Sequence, residues 1–166
     1  MNIRLAEMGD VQALPAIEAA AGEAFREIGM ADVADDPLPD TDDLARHVGE
    51  GRIWVAETAG EVAGYALAVL RDGQAHLEQV SVHPDHARTR VGAQLIGAVR
   101  TWTLERRDEQ LRLTTFTDVP WNAPYYSRLG FRPLPDAELG PELTAEIGEE
   151  RRPFSAPRTA MGLRLP

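Results

Sequence analysis

The sequence predicts one α/β domain built on a mixed sheet, with antiparallel and parallel strand pairs. Three observations predict it. Between residues 53 and 82, short apolar runs alternate with tight-turn signals, as in an antiparallel meander. From Arg90 onward the apolar residues recur at three- and four-residue spacing, as in a helix. Beyond that helix, strand and helix patterns alternate, which brings in parallel pairs. A length of 166 residues favours a single domain over residues 1–166. A domain of this size buries roughly 70% of the surface its unfolded chain exposes, so it needs no metal or disulfide staple.

The elements follow in order. Ile3 to Leu5 is a short first strand. Asp10 is a candidate N-cap for an Ala- and Glu-rich helix running to about Ile28, with Leu14, Ile17, Ala21 and Phe25 as its apolar stripe. Pro15 marks either the true helix start or a kink. Gly29 to Asp43 is an acidic loop with Pro37 and Pro39, followed by a short helix from Thr41 to Val48. Strands are expected at Ile53 to Glu57, Val62 to Leu70 and Ala75 to Val82. Ala59-Gly60 and Asp72-Gly73 are the turns between them. A helix from Arg90 to Arg106 follows, with Val91, Leu95, Ala98, Val99 and Trp102 on one face. Then come a strand from Leu111 to Phe116, a helix from Pro120 to Arg128 that stops at Gly130, and a strand from Phe131 to Leu134. The stretch from Pro135 to Pro157 holds one helix near Pro141 to Glu149, and Arg158 to Leu165 is the last strand. The expected order is β-α-α-β-β-β-α-β-α-β-β.

Composition narrows the chemistry. The absence of cysteine rules out disulfides, thiolate metal sites and a cysteine nucleophile. A formal net charge of −10 opposes nonspecific binding to nucleic acid and mildly favours cationic partners. No apolar run approaches the ~20 residues of a membrane span, so a cytoplasmic protein is expected. The four histidines have no metal-ligand spacing, and no metal is expected. His47 reads as a surface residue of its helix.

The informative stretch is Leu77 to Leu95, LEQVSVHPDHARTRVGAQL. A strand runs through His83-Pro84 into a basic loop that opens directly onto a helix. The first turn of a helix has unpaired N–H groups and the positive end of the dipole. Such a junction holds a phosphate or pyrophosphate. Arg88 and Arg90 add charge there, and Gly92 lets a ligand approach the backbone.

Val82-His83-Pro84, the Arg-rich turn and Val91-Gly92 resemble the coenzyme A signature of the GNAT superfamily of N-acetyltransferases. Tyr126-Ser127-Arg128-Leu129-Gly130-Phe131 is similar to that family's Tyr-x-x-x-Gly-Phe run, at the expected distance downstream. The resemblance covers essentially the whole chain. It implies a GNAT-like mixed sheet splayed at the cofactor strand, with acetyl-CoA as cosubstrate. Val80, Ser81 and Val82 would pair with the pantetheine arm. Arg88, Thr89, Arg90, Val91, Gly92 and Ala93 would hold the pyrophosphate, with Asn122 as a further cofactor contact. Arg90 stands where the family commonly has its first loop glycine. It either strains the turn at positive φ or takes ordinary helical geometry and points outward.

By the same resemblance Tyr126 is the general acid. Glu78 shares side-chain parity with Val80 and Val82 and is the first candidate base, with His76 second on the same face. The implied activity is direct transfer of acetyl from acetyl-CoA to an amine, on a small molecule or a protein, without a covalent enzyme intermediate. The alternative is a noncatalytic acyl-CoA binding module. The implied partner is an amine acceptor, flanked by residues 30–43 and 135–157; a homodimer is compatible with the sequence, and no nucleic acid or membrane is expected.

Overall fold

The computed structural model describes residues 1–150 and 156–166. Among the described residues, seven strands follow the hydrogen-bonded order β1-β2-β3-β4-β5-β7-β6. They are β1 (Asn2–Leu5), β2 (Ile53–Thr58), β3 (Glu61–Arg71), β4 (Gln74–Val82), β5 (Gln110–Phe116), β6 (Arg132–Pro133) and β7 (Arg158–Arg164). The helices are α1 (Leu14–Glu27), α2 (Ala31–Ala34), α3 (Thr41–Gly49), α4 (Val91–Glu105), α5 (Ala123–Arg128) and α6 (Gly140–Glu150). The expected mixed α/β sheet is present. One helix is additional, α2 within the acidic loop, while α6 between the last two strands is the helix expected near Pro141 to Glu149. No helix among the described residues is long and apolar enough to cross a membrane.

The chain divides into two units, Met1–Ala68 with Gln79–Val99, and Val69–Glu78 with Arg100–Pro166. In the first unit, β1 and β2 pair antiparallel from Asn2↔Glu57 to Leu5↔Trp54, and β2 pairs antiparallel with β3, with a bulge at Ala56/Glu57. Its core holds Val11, Leu14, Ile17, Leu44, Val55, Leu95 and Val99.

Asp10 does not cap α1. It lies in a 3-10 turn over Met8–Ala13, where its carboxylate accepts from the Glu7 amide at 2.7 Å and from the Arg4 guanidinium at 2.8 Å. The α-helix begins at Leu14 with Pro15 in its first turn, where the missing N–H removes no helical bond. Pro15 is thus the start and not a kink. Helix α3 has Asp40 as N-cap, accepting from Asp42 N at 2.9 Å. His47 is less exposed than expected: its side chain is 15% exposed, and Nδ1 is buried with no hydrogen-bond partner among the described residues.

In the second unit, β5 pairs antiparallel with β7 along its whole length, β7 pairs with β6, and β4 pairs with β5 in parallel at His76↔Arg112. Leu139, Leu143, Ile147 and Ala160 form a buried cluster under α6, with Leu134 packed against it. Strand β6 has two residues instead of the expected four. Helix α5 starts at Ala123, three residues later than expected, with Pro124 in its first turn. The C-terminal part of the acceptor-flanking stretch, residues 151–155, lies outside the described residues.

Candidate active site

In the first unit, β4 leaves the sheet at Val82 and enters a 3-10 turn over Pro84–His86. His83 starts that turn, its Nδ1 accepting from the Asp85 amide at 3.2 Å. The Thr89 hydroxyl donates to the His86 carbonyl and ties the loop back on itself. Arg88 has φ 63° and Arg90 φ 66°, both left-handed. Arg90 therefore does not take ordinary helical geometry. It keeps the backbone that glycine would adopt, at a cost of about 1–2 kcal/mol per residue.

The Arg90 carbonyl accepts from Gln94 N at 3.1 Å, so the chain passes straight from this residue into α4. The amides of Val91, Gly92 and Ala93 make up the first turn, where the helix itself supplies no acceptors. Arg88, Thr89 and Arg90 are exposed, Val91 is buried, and Gly92 and Ala93 are half-buried. Strand β3 braces this region. A Cβ on Gly64 would stand 2.7 Å from the Ser81 carbonyl oxygen and 3.3 Å from a Val91 methyl. Glycine at 64 is what lets β3 lie so close to Ser81 and Val82. Ser81 is buried and its Oγ accepts from Gln79 Nε2 at 2.8 Å, while Val80 and Val82 are half-buried.

In the second unit, Tyr126 sits in α5, whose end explains its motif. Phe131 N donates to the Tyr126 carbonyl at 3.1 Å and Gly130 N to the Ser127 carbonyl at 3.1 Å. Gly130 has φ 101°. These bonds define a Schellman stop, with glycine at the left-handed position and an apolar residue after it. Phe131 is fully buried and its ring meets Tyr126 edge-on, centroids 5.7 Å apart. Burial, and secondarily Tyr125, push the Tyr126 phenol well above its ordinary pKa. It therefore stays a proton donor at neutral pH. Asn122 stands at the N-cap of α5 without a side-chain capping bond.

Also in the second unit, β4 turns His76 and Glu78 to one face, as strand alternation requires. His76 Nε2 lies 3.6 Å from Glu78 Oε2 and 3.9 Å from Glu146 Oε2 of α6. Arg71 of β3 reaches both carboxylates, with Nε 3.2 Å from Glu146 Oε2 and NH2 3.2 Å from Glu78 Oε2. His76 is 1% exposed, and burial together with Arg71 and Arg112 pushes its pKa down to about 3. The imidazole is neutral. Burial raises the Glu78 pKa, opposed by Arg71 and aided by Glu150. Burial and Glu78 raise that of Glu146. One donor atom each from His76, Glu78 and Glu146 lies within 4.8 Å of the others. Three such donors suit a divalent cation, but the Arg71 guanidinium already supplies the positive charge to both carboxylates.

A family model described as an acetyltransferase (GNAT) domain matches residues 49–133. The chain belongs to the GNAT acetyltransferase family. Solved structures share its fold at low identity. A Mycobacterium tuberculosis protein solved with CoA is 18% identical, with TM-score 0.72 over 100% of both chains. A ribosomal-protein-alanine N-acetyltransferase from Brucella melitensis is 20% identical, with TM-score 0.71, over 99% of this chain and 100% of that one. N-acetylglutamate synthase from Neisseria gonorrhoeae, solved with coenzyme A and N-acetyl-glutamate, is 15% identical, with TM-score 0.75, over 99% of this chain and 35% of that one.

Both motifs of this GNAT chain fall inside the matched segment. The residues expected at the cofactor loop, Arg88 to Ala93, form one continuous turn leading into α4. The two candidate bases, His76 and Glu78, are in contact. Sequence reasoning missed Arg71 and Glu146, which complete that contact. Arg71 was visible only as the last residue before the Asp72-Gly73 turn, and nothing local to Glu146 distinguishes it from the other glutamates of α6.

Proposed function

We propose that this acetyltransferase moves acetyl from acetyl-CoA directly to an amine, in a single domain spanning residues 1–166. The reading rests above all on the loop before α4. Arg88 and Arg90 both hold left-handed backbone there, although neither is glycine. Strain of this kind persists where the surroundings over-determine it, and it concentrates at ligand clamps. The exposed arginine side chains add charge beside the helix N-terminus. In this reading the amides of residues 88–93 bind the pyrophosphate, Val80 to Val82 offer backbone groups to the pantetheine arm, and Asn122 adds a cofactor contact.

An alkylammonium of pKa ~10 is no nucleophile until it loses a proton. Glu78 takes that proton, directly or through water. The amine nitrogen bonds to the acetyl carbon, a backbone N–H of the cofactor strand stabilises the charge building on the carbonyl oxygen, and the carbon–sulfur bond breaks. Tyr126 gives its proton to the thiolate as the carbon–sulfur bond breaks. The phenol is a weaker acid than a thiol of pKa ~8.5, so this transfer is uphill by itself. It is drawn forward by expulsion of the leaving group, after which the phenolate regains a proton from solvent. His76, neutral and closed off from solvent, is a poorer base than Glu78 and serves as its neighbour.

Turnover of acetyl-CoA with a panel of amines tests the reading, followed by release of free thiol. Thiol release that depends on an amine is expected. Thermal stabilisation by acetyl-CoA with no turnover across the panel would mark a binding module instead. Tyr126→Phe is expected to lower kcat about 100-fold or more, within the usual range for a lost general acid. An unchanged kcat removes Tyr126 from the mechanism.

A further inference from the structure

Resting on the reading of Glu78 as base, we infer that Glu146 of α6 is a positioning residue that sets the protonation of Glu78 through the Arg71 guanidinium they share. The geometry is asymmetric between the two outcomes of removing a partner. Arg71 divides its donors, NH2 to Glu78 and Nε to Glu146, each at 3.2 Å. Glu146 thus draws on the same cation that would otherwise serve Glu78 alone, and it brings a like charge within 4.8 Å. Both effects disfavour ionised Glu78.

Three other groups surround this pair. His76 of β4, at 3.6 Å, is buried and uncharged. Arg112 of β5 is fully buried and spends its NH2 on the Arg71 carbonyl at 2.7 Å and its NH1 on the Leu139 carbonyl at 3.2 Å. Glu150, one turn beyond Glu146, is held by the Thr114 hydroxyl at 2.8 Å and by Arg158 at 2.6 Å. Glu150 also pushes Glu78 upward through its charge; Arg71 and Glu146 are the groups tied to Glu78 through one guanidinium. The two carboxyls titrate as a coupled pair, and Glu146 holds Glu78 protonated to higher pH than an isolated glutamate beside an arginine. A base matched to neutral pH is more effective than one titrating far below it.

The test is a titration of the Glu78 carboxyl by 13C NMR in the full chain labelled at glutamate, with the signal assigned from Glu78→Gln. Glu146→Gln is expected to move the Glu78 midpoint to lower pH, and Arg71→Met to move it to higher pH. Glu146→Asp and Arg71→Lys keep the charges and are expected to restore most of the native midpoint, which separates charge from loss of structure. A Glu78 midpoint unmoved by both Glu146→Gln and Arg71→Met overturns the inference, as does movement of both in the same sense. The base assignment is read separately, from the pH–rate profile of Glu78→Gln. If its acidic limb survives, the parent reading fails even where the titration shows coupling.

Discussion

His76 shows how one residue's surroundings decide its chemistry. Its parity with Glu78 was legible in the sequence, because alternation along a strand is local. Its neutral state was not, because that depends first on its burial, and then on Arg71 across the hairpin and Arg112 on the neighbouring strand. The folded pKa of about 3 lies below the ordinary 6.5, so the unfolded chain binds the extra proton. Stability linked to His76 is complete above the unfolded value and is lost as pH falls from there toward the folded one. Replacing His76 with Leu removes this term. The fall in urea midpoint between about pH 7 and pH 5 is expected to be smaller in His76→Leu than in the native chain. An equal fall in both would show that His76 is not buried neutral. Arg90 carries the opposite lesson: the sequence left its backbone open between strain and helix, and only the loop closed by Thr89 and His86 decides for the strained form.

Element boundaries were legible where turn chemistry is local. Strands β2 to β4 lie within a residue of the pattern-based bounds because Ala59-Gly60 and Asp72-Gly73 take the left-handed angles that such turns require. The second role of Asp72 was not legible. Its carboxylate accepts from Glu142 N at 2.8 Å and Leu143 N at 3.1 Å, so a hairpin turn caps a helix 70 residues away. The Glu142 carboxylate accepts in turn from the Asp72 amide. Burial would raise the Asp72 pKa, but these two amides and Arg112 outweigh it and hold it low. Asp72→Ala is expected to cost about 1–2 kcal/mol, as for other lost N-caps, measured by urea denaturation. It should also loosen the α6 segment that delivers Glu146. Gly130→Ala forces a side chain into left-handed backbone and against Leu163 at 3.2 Å. A loss of about 1–2 kcal/mol is expected. No loss would mean that the Schellman stop does not hold Tyr126 in place.

Across the whole molecule, the mixed sheet and its motifs were readable, while the strand order and helix α2 were not. Helix α2 has four residues inside a Pro- and Asp-rich loop, too short to show a period. Helix α6 was recognised as a segment, but its place over β4 depends on Asp72 and Arg112, which are remote in sequence. The strand–loop–helix junction between Val82 and Val91 was the most legible part, because His83-Pro84 and the helical spacing from Val91 mark its two ends locally. Gly64 was not singled out, since only its distance to Ser81 reveals its purpose. Gly64→Ala is expected to push β3 from β4 and weaken acetyl-CoA affinity, read by calorimetric titration; unchanged affinity would separate this contact from cofactor binding.

The most direct check follows the backbone amides of the 15N-labelled chain by NMR as acetyl-CoA is added. The largest shifts are expected at residues 88–93, with smaller ones at 80–82. Saturation with those amides unmoved would contradict the assignment of this turn to the pyrophosphate.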